Sequence, residues 1–231
     1  LAQYSTYRTY YRLATANAEA AEKEVDASAA GASLRRFLTR HPEVIHAKAR
    51  IIVEHFRAHT AKKIGGQGKA MVVADSRIAA VKYHEAITAY CAEQGYSIEA
   101  AVAFSGHVDD PVLGRVTEAS LNKYPESQTA DRFKGVDAYA PGQHILIVAE
   151  KFQTGFDEPK LHTMFVDKTL TGLAAVQTLS RLNRTMPGKE DTFVLDFRND
   201  ADDIAREFQK YYEATTTTPT DPNVLSDAYD R

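Results

Sequence analysis

Gln177, Arg181 and Arg184 stand at helical spacing within Val176-Gln177-Thr178-Leu179-Ser180-Arg181-Leu182-Asn183-Arg184-Thr185, just after an apolar run that reads as a buried strand. A guanidinium is a rigid, permanently charged fork, suited to the equatorial oxygens of a phosphoryl group in transfer. This stretch therefore has the chemistry to stabilise charge on a nucleotide. Upstream, Ile145-Leu146-Ile147-Val148-Ala149 runs into the polar segment Glu150-Lys151-Phe152-Gln153-Thr154-Gly155-Phe156-Asp157. Gly155 permits a tight turn, and the Asp157 carboxylate can accept hydrogen bonds from a ribose. Lys151 can meet a nucleic-acid phosphate. Ser76-Arg77 and Ser105-Gly106 offer backbone and hydroxyl donors on two neighbouring loops.

Other tempting groups fit their chemistry less well. Gly65-Gly66-Gln67-Gly68-Lys69 precedes a strand instead of following one, and Ala70 stands where a phosphate loop needs a hydroxyl residue. His55 and His59 lie four apart on a helix without a further matching ligand, and they read as a solvated face. Asp196, Asp200, Asp202, Asp203 and Glu207 read as capping and solvation after a strand, since no lysine stands at nuclease-like spacing. No metal site is assigned.

The elements that must position these residues alternate. Apolar strands are predicted at 69–75, 100–104, 145–149, 163–167 and 192–197, with helices after Ser76, around Ala130 to Phe133, at 172–184 and from Asp202 to Tyr212. Ser76 caps the first of these helices and Gly95 ends it. In the helix at 172–184, Val176, Leu179 and Leu182 pack inward while Arg181 and Arg184 share a face at i,i+3. Strands separated by helices imply an α/β fold, a parallel sheet with helices on both faces and ligands at the carboxyl ends of the strands. The first sixty-odd residues, rich in Ala, Glu, Arg and Lys, read as a helical lead-in. Three parts result: 1–65 lead-in, 66–200 sheet domain, and 201–231 a helix and linker around Thr215 to Pro222. No internal repeat is visible.

With 231 residues and 44% hydrophobic content, the chain can bury one sizeable core. A formal charge of −3 gives no global basic field, so any nucleic-acid affinity must come from a local groove. The single cysteine, Cys91, excludes an intrachain disulfide and reads as core packing in a cytoplasmic protein. No run approaches the length of a membrane span. Leu1 in place of a methionine points to a piece of a longer chain.

The residues resemble the second motor domain of superfamily-two helicases and translocases. Gln177, Arg181 and Arg184 keep the glutamine and both arginines of that family's last motif, with Ser180 and Asn183 in place of its glycines; Gly155 and Asp157 match the preceding motif, with Ala149 where many members have threonine. More narrowly, Lys151 through Asp157, Gln177 through Arg184, Phe165-Val-Asp-Lys168, Pro187-Gly188-Lys189 and Phe193 through Phe197 look like the restriction (motor) subunit of type I restriction enzymes. The resemblance covers roughly residues 41–225.

The resemblance implies a RecA-like three-layer domain. Its parent would be an ATP- and Mg2+-dependent site-specific deoxyribonuclease that pulls double-stranded DNA past a complex with modification and specificity subunits. It implies Arg184, or next Arg181, as the charge-stabilising finger, and Gly155, Asp157 and Gln177 at the nucleotide. It also implies Ser76, Arg77, Ser105, Gly106 and Lys151 at DNA phosphates. The chain alone, lacking the phosphate-binding lysine and Mg-binding motif of a first motor domain, is expected to be inactive. Another helicase or repair translocase, or a silent interaction domain of the same fold, is the alternative.

Overall fold

A computed structural model describes residues 2–6, 42–152 and 155–216. Its strands are β1 (Ala2–Thr6), β2 (Lys69–Ala74), β3 (Ala100–Ala103), β4 (His107–Asp110), β5 (Gly114–Thr117), β6 (Ile145–Val148), β7 (Leu161–Asp167) and β8 (Thr192–Asp196). The helices are α1 (Pro42–Ala58), α2 (Arg77–Gln94), α3 (Glu118–Asn122), α4 (Thr129–Lys134), α5 (Gly172–Leu179) and α6 (Ala201–Thr216). Six strands form one sheet in the order β1-β8-β7-β2-β6-β3, and every pairing in it is parallel.

The period-two alternation of strand side chains divides the core into two layers. Ala70, Val72 and Ala74 of β2, Ile145 and Ile147 of β6, and Phe165 of β7 face α1 and α2, which contribute Ile45, Ile52, Phe56, Tyr83 and Ile87. Met71, Val73, Leu146, Val148, Met164 and Val166 face the other way, onto Phe133 of α4, Ala175 and Leu179 of α5 and Ile204 of α6. Burial on both faces explains why these strands read as unbroken apolar runs. The three-layer α/β architecture expected from the sequence is present.

Three features differ from the sequence reading. Residues 2–6, expected to be helical, form an edge strand in register with β8, pairing Tyr4 with Val194 and Thr6 with Asp196. A five-residue edge strand gains its ladder bonds without an apolar pattern, so nothing marked it. Helix α1 belongs to the same core layer as α2, so the boundary drawn at 65/66 does not separate two cores. The polar segment after β3 contains an antiparallel hairpin, β4 with β5, whose turn is held by Asp110 Oδ1 accepting from Val112 N at 2.8 Å and Leu113 N at 3.0 Å. Helix α6 runs into the expected linker, whose remainder lies outside the described residues.

Edge strand β3 is closed by a side chain. Asn122 at the end of α3 accepts from Val102 N at 2.9 Å and donates to Val102 O at 2.8 Å, taking the place of a neighbouring strand. At the start of β2, a Cβ on Gly68 would stand 2.2 Å from Thr60 O, so the glycine-rich stretch serves the packing of chain on chain. Ser76 accepts from Ala79 N at 3.3 Å to cap α2, and left-handed Gly95 ends it with its N–H on the Ala92 and Cys91 carbonyls.

Candidate functional site

The arginine segment is less regular than a single helix. Helix α5 stops at Leu179, a 3-10 turn covers Ser180–Asn183, and Arg184 is already extended at φ −71, ψ 127. The Ser180 hydroxyl donates to Gln177 O at 3.2 Å, competing with the backbone for a carbonyl the helix would need to continue. The common face expected for Arg181 and Arg184 is therefore replaced by a different convergence. Arg181 Nη1 donates to Phe156 O at 3.1 Å, and Arg184 Nε lies 2.8 Å from Asp157 Oδ1. Both arginines meet the Gly155–Asp157 segment. Val176, Leu179 and Leu182 are buried as predicted, and Gln177 is half-buried beside them.

The partner loop is shaped by left-handed residues, Glu150 (φ 66), Phe152 (φ 64) and Gly155 (φ 71). Open space surrounds the position a Gly155 Cβ would take, so glycine is favoured there by its backbone angle alone. Buried Phe156 anchors the loop against Phe152 and Phe133, with ring centroids 4.8 and 6.0 Å apart. Gln153 and Thr154 of this motif lie outside the described residues.

Helix α5 runs back along the parallel strands, as a crossover connection must, so the arginine turn lies toward the strands' starting ends. Contacts agree: Lys189, just before β8, donates to Leu182 O of the turn at 2.7 Å and to Pro159 O, just before β7, at 3.1 Å. A recess of about 190 Å³ is lined there by Leu182, Arg184, Lys189 and Asp191 among others. That is smaller than the roughly 300–1,000 Å³ that engulfs a small-molecule ligand.

Ser76, Arg77, Ser105 and Gly106 come together at the opposite, carboxyl edge. Arg77 Nη1 donates to Ser105 O at 3.2 Å, and a Cβ on Gly106 would lie 3.3 Å from the same nitrogen. The Ser76 hydroxyl donates to Asp75 Oδ1 at 2.8 Å, so its proton is committed within the protein. The donors left to this loop include backbone N–H groups, the exposed Ser105 hydroxyl and the Arg77 guanidinium.

Lys151 is placed differently from a phosphate ligand reaching into solvent. Its ammonium pairs with Glu118 at 2.9 Å and with Glu126. Burial lowers the Lys151 pKa, but hydrogen bonds to these two carboxylates outweigh it and the net shift is upward. Glu118 is fully buried and also accepts from Phe104 N at 3.0 Å and from the Thr129 hydroxyl. Sequence reasoning missed Glu118, although Thr117 and Ser120 around it form the capping box that starts α3.

A second buried group was also missed. Asp167, at the end of β7, accepts from Lys48 Nζ at 2.9 Å and Tyr83 OH at 2.7 Å, and Arg198 Nε stands 3.5 Å away. Burial first, then the Asp167 charge, raises the Tyr83 phenol well above its ordinary range. Arg198 reaches on to Asp75 at 3.4 Å. No spacing marks these partners, which come from four separate segments.

Among the described residues, no group of three or more His, Cys, Asp or Glu could hold a metal ion. Asp196 accepts from Arg198 N at 2.7 Å and Asn199 N at 2.8 Å, Glu207 accepts from Gly172 N at 3.0 Å, and Asp203 pairs with Arg206. The first two are turn and capping roles, and the third is an exposed i,i+3 pair along α6. His55 differs from the solvated face expected of it: it is 7% exposed and stacks on Phe193 at 4.5 Å. No described helix is long and apolar enough to cross a membrane.

Residues 119–199 match a family model described as type I restriction enzyme subunit R domain 3. The sequence named as the type I restriction enzyme MjaIXP endonuclease subunit of Methanocaldococcus jannaschii is 31% identical over 176 residues, 75% of this chain and 16% of that protein. The one named as the MjaVIIP endonuclease subunit, from the same organism, is 30% identical over 166 residues, 68% of this chain and 15% of that protein. The chain thus spans a small part of the length of these relatives. Two similar solved structures are the Mss116p DEAD-box helicase domain 2 bound to an RNA duplex and the Pyrococcus furiosus Hef helicase domain. The first has 19% identity and a TM-score of 0.43 over 74% of this chain and 56% of that one. The second has 15% identity and a TM-score of 0.39 over 74% and 28%.

Proposed function

Because this chain is a type I restriction enzyme R subunit-like domain, we propose that it is the second half of an ATP-dependent DNA translocase motor. In the cytoplasm its parent protein works with modification and specificity subunits, pulls duplex DNA past the complex and cuts it. The observation that carries this reading is the meeting of Arg181 and Arg184 with the Gly155–Asp157 segment, where the Arg184 and Asp157 side chains are both open to solvent.

The residues fit one side of an ATP site. Arg184 and Asp157 have side chains 50% and 64% exposed, and an ion pair so open to water is worth about 0–1 kcal/mol. The Arg184 guanidinium can exchange that carboxylate for phosphate oxygens at little cost. Arg181, tied to Phe156 O, holds the loop, and Gln177 lies one α-turn before it. ATP bound with Mg2+ supplies the motor's free energy through loss of its terminal phosphoryl group. The phosphate-gripping lysine and Mg2+ ligands come from a first motor domain, which closes the other side.

DNA phosphates are met at the carboxyl edge by Arg77 and by backbone N–H groups around Ser76, Ser105 and Gly106, which read the backbone and not the bases. Lys151 supports that edge through Glu118.

The test is Arg184→Ala in the full subunit assembled with its partners. DNA-stimulated ATP hydrolysis is expected to fall by about 10³-fold or more, with DNA binding retained. Hydrolysis at the wild-type rate would falsify the assignment.

A further inference from the structure

We propose that Lys189 is a positioning residue that sets where the Arg184 guanidinium stands against the Gly155–Asp157 loop. An ammonium has three N–H donors and no acceptor. Lys189 Nζ lies 2.7 Å from Leu182 O, 2.9 Å from Arg184 O and 3.1 Å from Pro159 O. Two of these carbonyls belong to the arginine turn, and the third follows Asp157 by two residues. One charged group therefore bolts together the two segments whose side chains form the Arg184–Asp157 pair.

The bolt is needed because that pair is too exposed to locate its own members. After Asn183 the chain has left the helix, so no i,i−4 ladder holds Arg184 either. Lys189 is itself carried back to the turn by Gly188 (φ 80), and its N–H donates to Met186 O at 3.0 Å. Burial pulls the Lys189 ammonium down to about 8, against the Glu158 carboxylate, which raises it. His162 also faces this ammonium from β7, with its own pKa lowered chiefly by burial.

The inference rests on the reading of Arg184 as the cation that faces phosphate, and the test separates the two. In the full subunit, Lys189→Met should lower kcat of DNA-stimulated ATP hydrolysis about 10²-fold, the effect of a small misplacement of a reacting group, with KM for ATP little changed. Lys189→Arg should restore most of kcat. Wild-type kcat should also fall as pH rises through about 8, where the ammonium loses its proton, and Lys189→Arg should abolish that fall. If Arg184→Ala is impaired while Lys189→Met turns over like wild type, the inference is overturned and the reading of Arg184 stands. If Arg184→Ala itself turns over like wild type, the reading fails first. Should thermal melting show that Lys189→Met is unfolded, the pH profiles decide: an alkaline fall unchanged in Lys189→Arg overturns the inference, and its loss supports it.

Discussion

Glu118 holds a carboxylate with no exposure at all, and Lys151, 18% exposed, is the cation that compensates it. Breaking a buried pair by removing one partner costs more than the pair contributes, because the remaining charge stays desolvated. Lys151→Met should therefore destabilise the fold by up to about 3 kcal/mol, read as a lower urea midpoint. Adding Glu118→Gln should recover part of that loss, since the uncompensated charge is then gone. A lysine that served only as a phosphate ligand would leave the midpoint unmoved, so an unchanged Lys151→Met would sink the structural role. The sequence made Lys151 visible as a cation beside a strand end, but its partner is 33 residues away. Charge type is local information; pairing depends on the fold.

At the scale of elements, the strands and the capped helix α2 were legible because burial on both faces and a Ser76–Gly95 frame leave local marks. The end of α5 was not, because the turn from α to 3-10 depends on one serine hydroxyl and a packed Leu182. Of the candidate site, the residue types and their grouping could be read, but not how Arg181 and Arg184 reach their partners. His55 on α1 shows the same gap: four-residue spacing gave a surface pair, while the sheet beneath α1 stacks the ring on Phe193. Burial, and then the nearby His59 and His162, lower its pKa from 6.5 to about 4. The folded protein thus resists a proton that the unfolded chain accepts below 6.5. Stability from this group is complete at neutral pH and is lost as pH falls toward 4, by about 2 kcal/mol at pH 5. Urea unfolding at pH 7.5 and 5 checks this: the loss should shrink in His55→Phe, and an equal loss in both proteins would refute the assignment.

Across the whole molecule, the sheet sets the two candidate surfaces at opposite ends of its strands. Arg77, Ser105 and Gly106 lie where β2 and β3 finish, whereas Arg184 lies near where β7 and β8 begin. Substitutions at the two ends should therefore fail in different ways. Arg77→Glu in the full subunit replaces the cation proposed to face DNA phosphate by an anion without touching the arginine turn. It should raise the DNA concentration needed to stimulate ATP hydrolysis, while the rate without DNA stays at the wild-type level. Each lost phosphate contact also lowers the dependence of log affinity on log salt by roughly 0.9, so the variant's DNA affinity should vary less steeply with salt. Arg184→Ala should show the reverse, wild-type DNA affinity and salt slope with little turnover. A titration of DNA at several salt concentrations, followed by phosphate release, reads both. Equal salt slopes for Arg77→Glu and wild type would remove Arg77 from the proposed DNA track, leaving that edge to the backbone N–H groups around Ser76, Ser105 and Gly106.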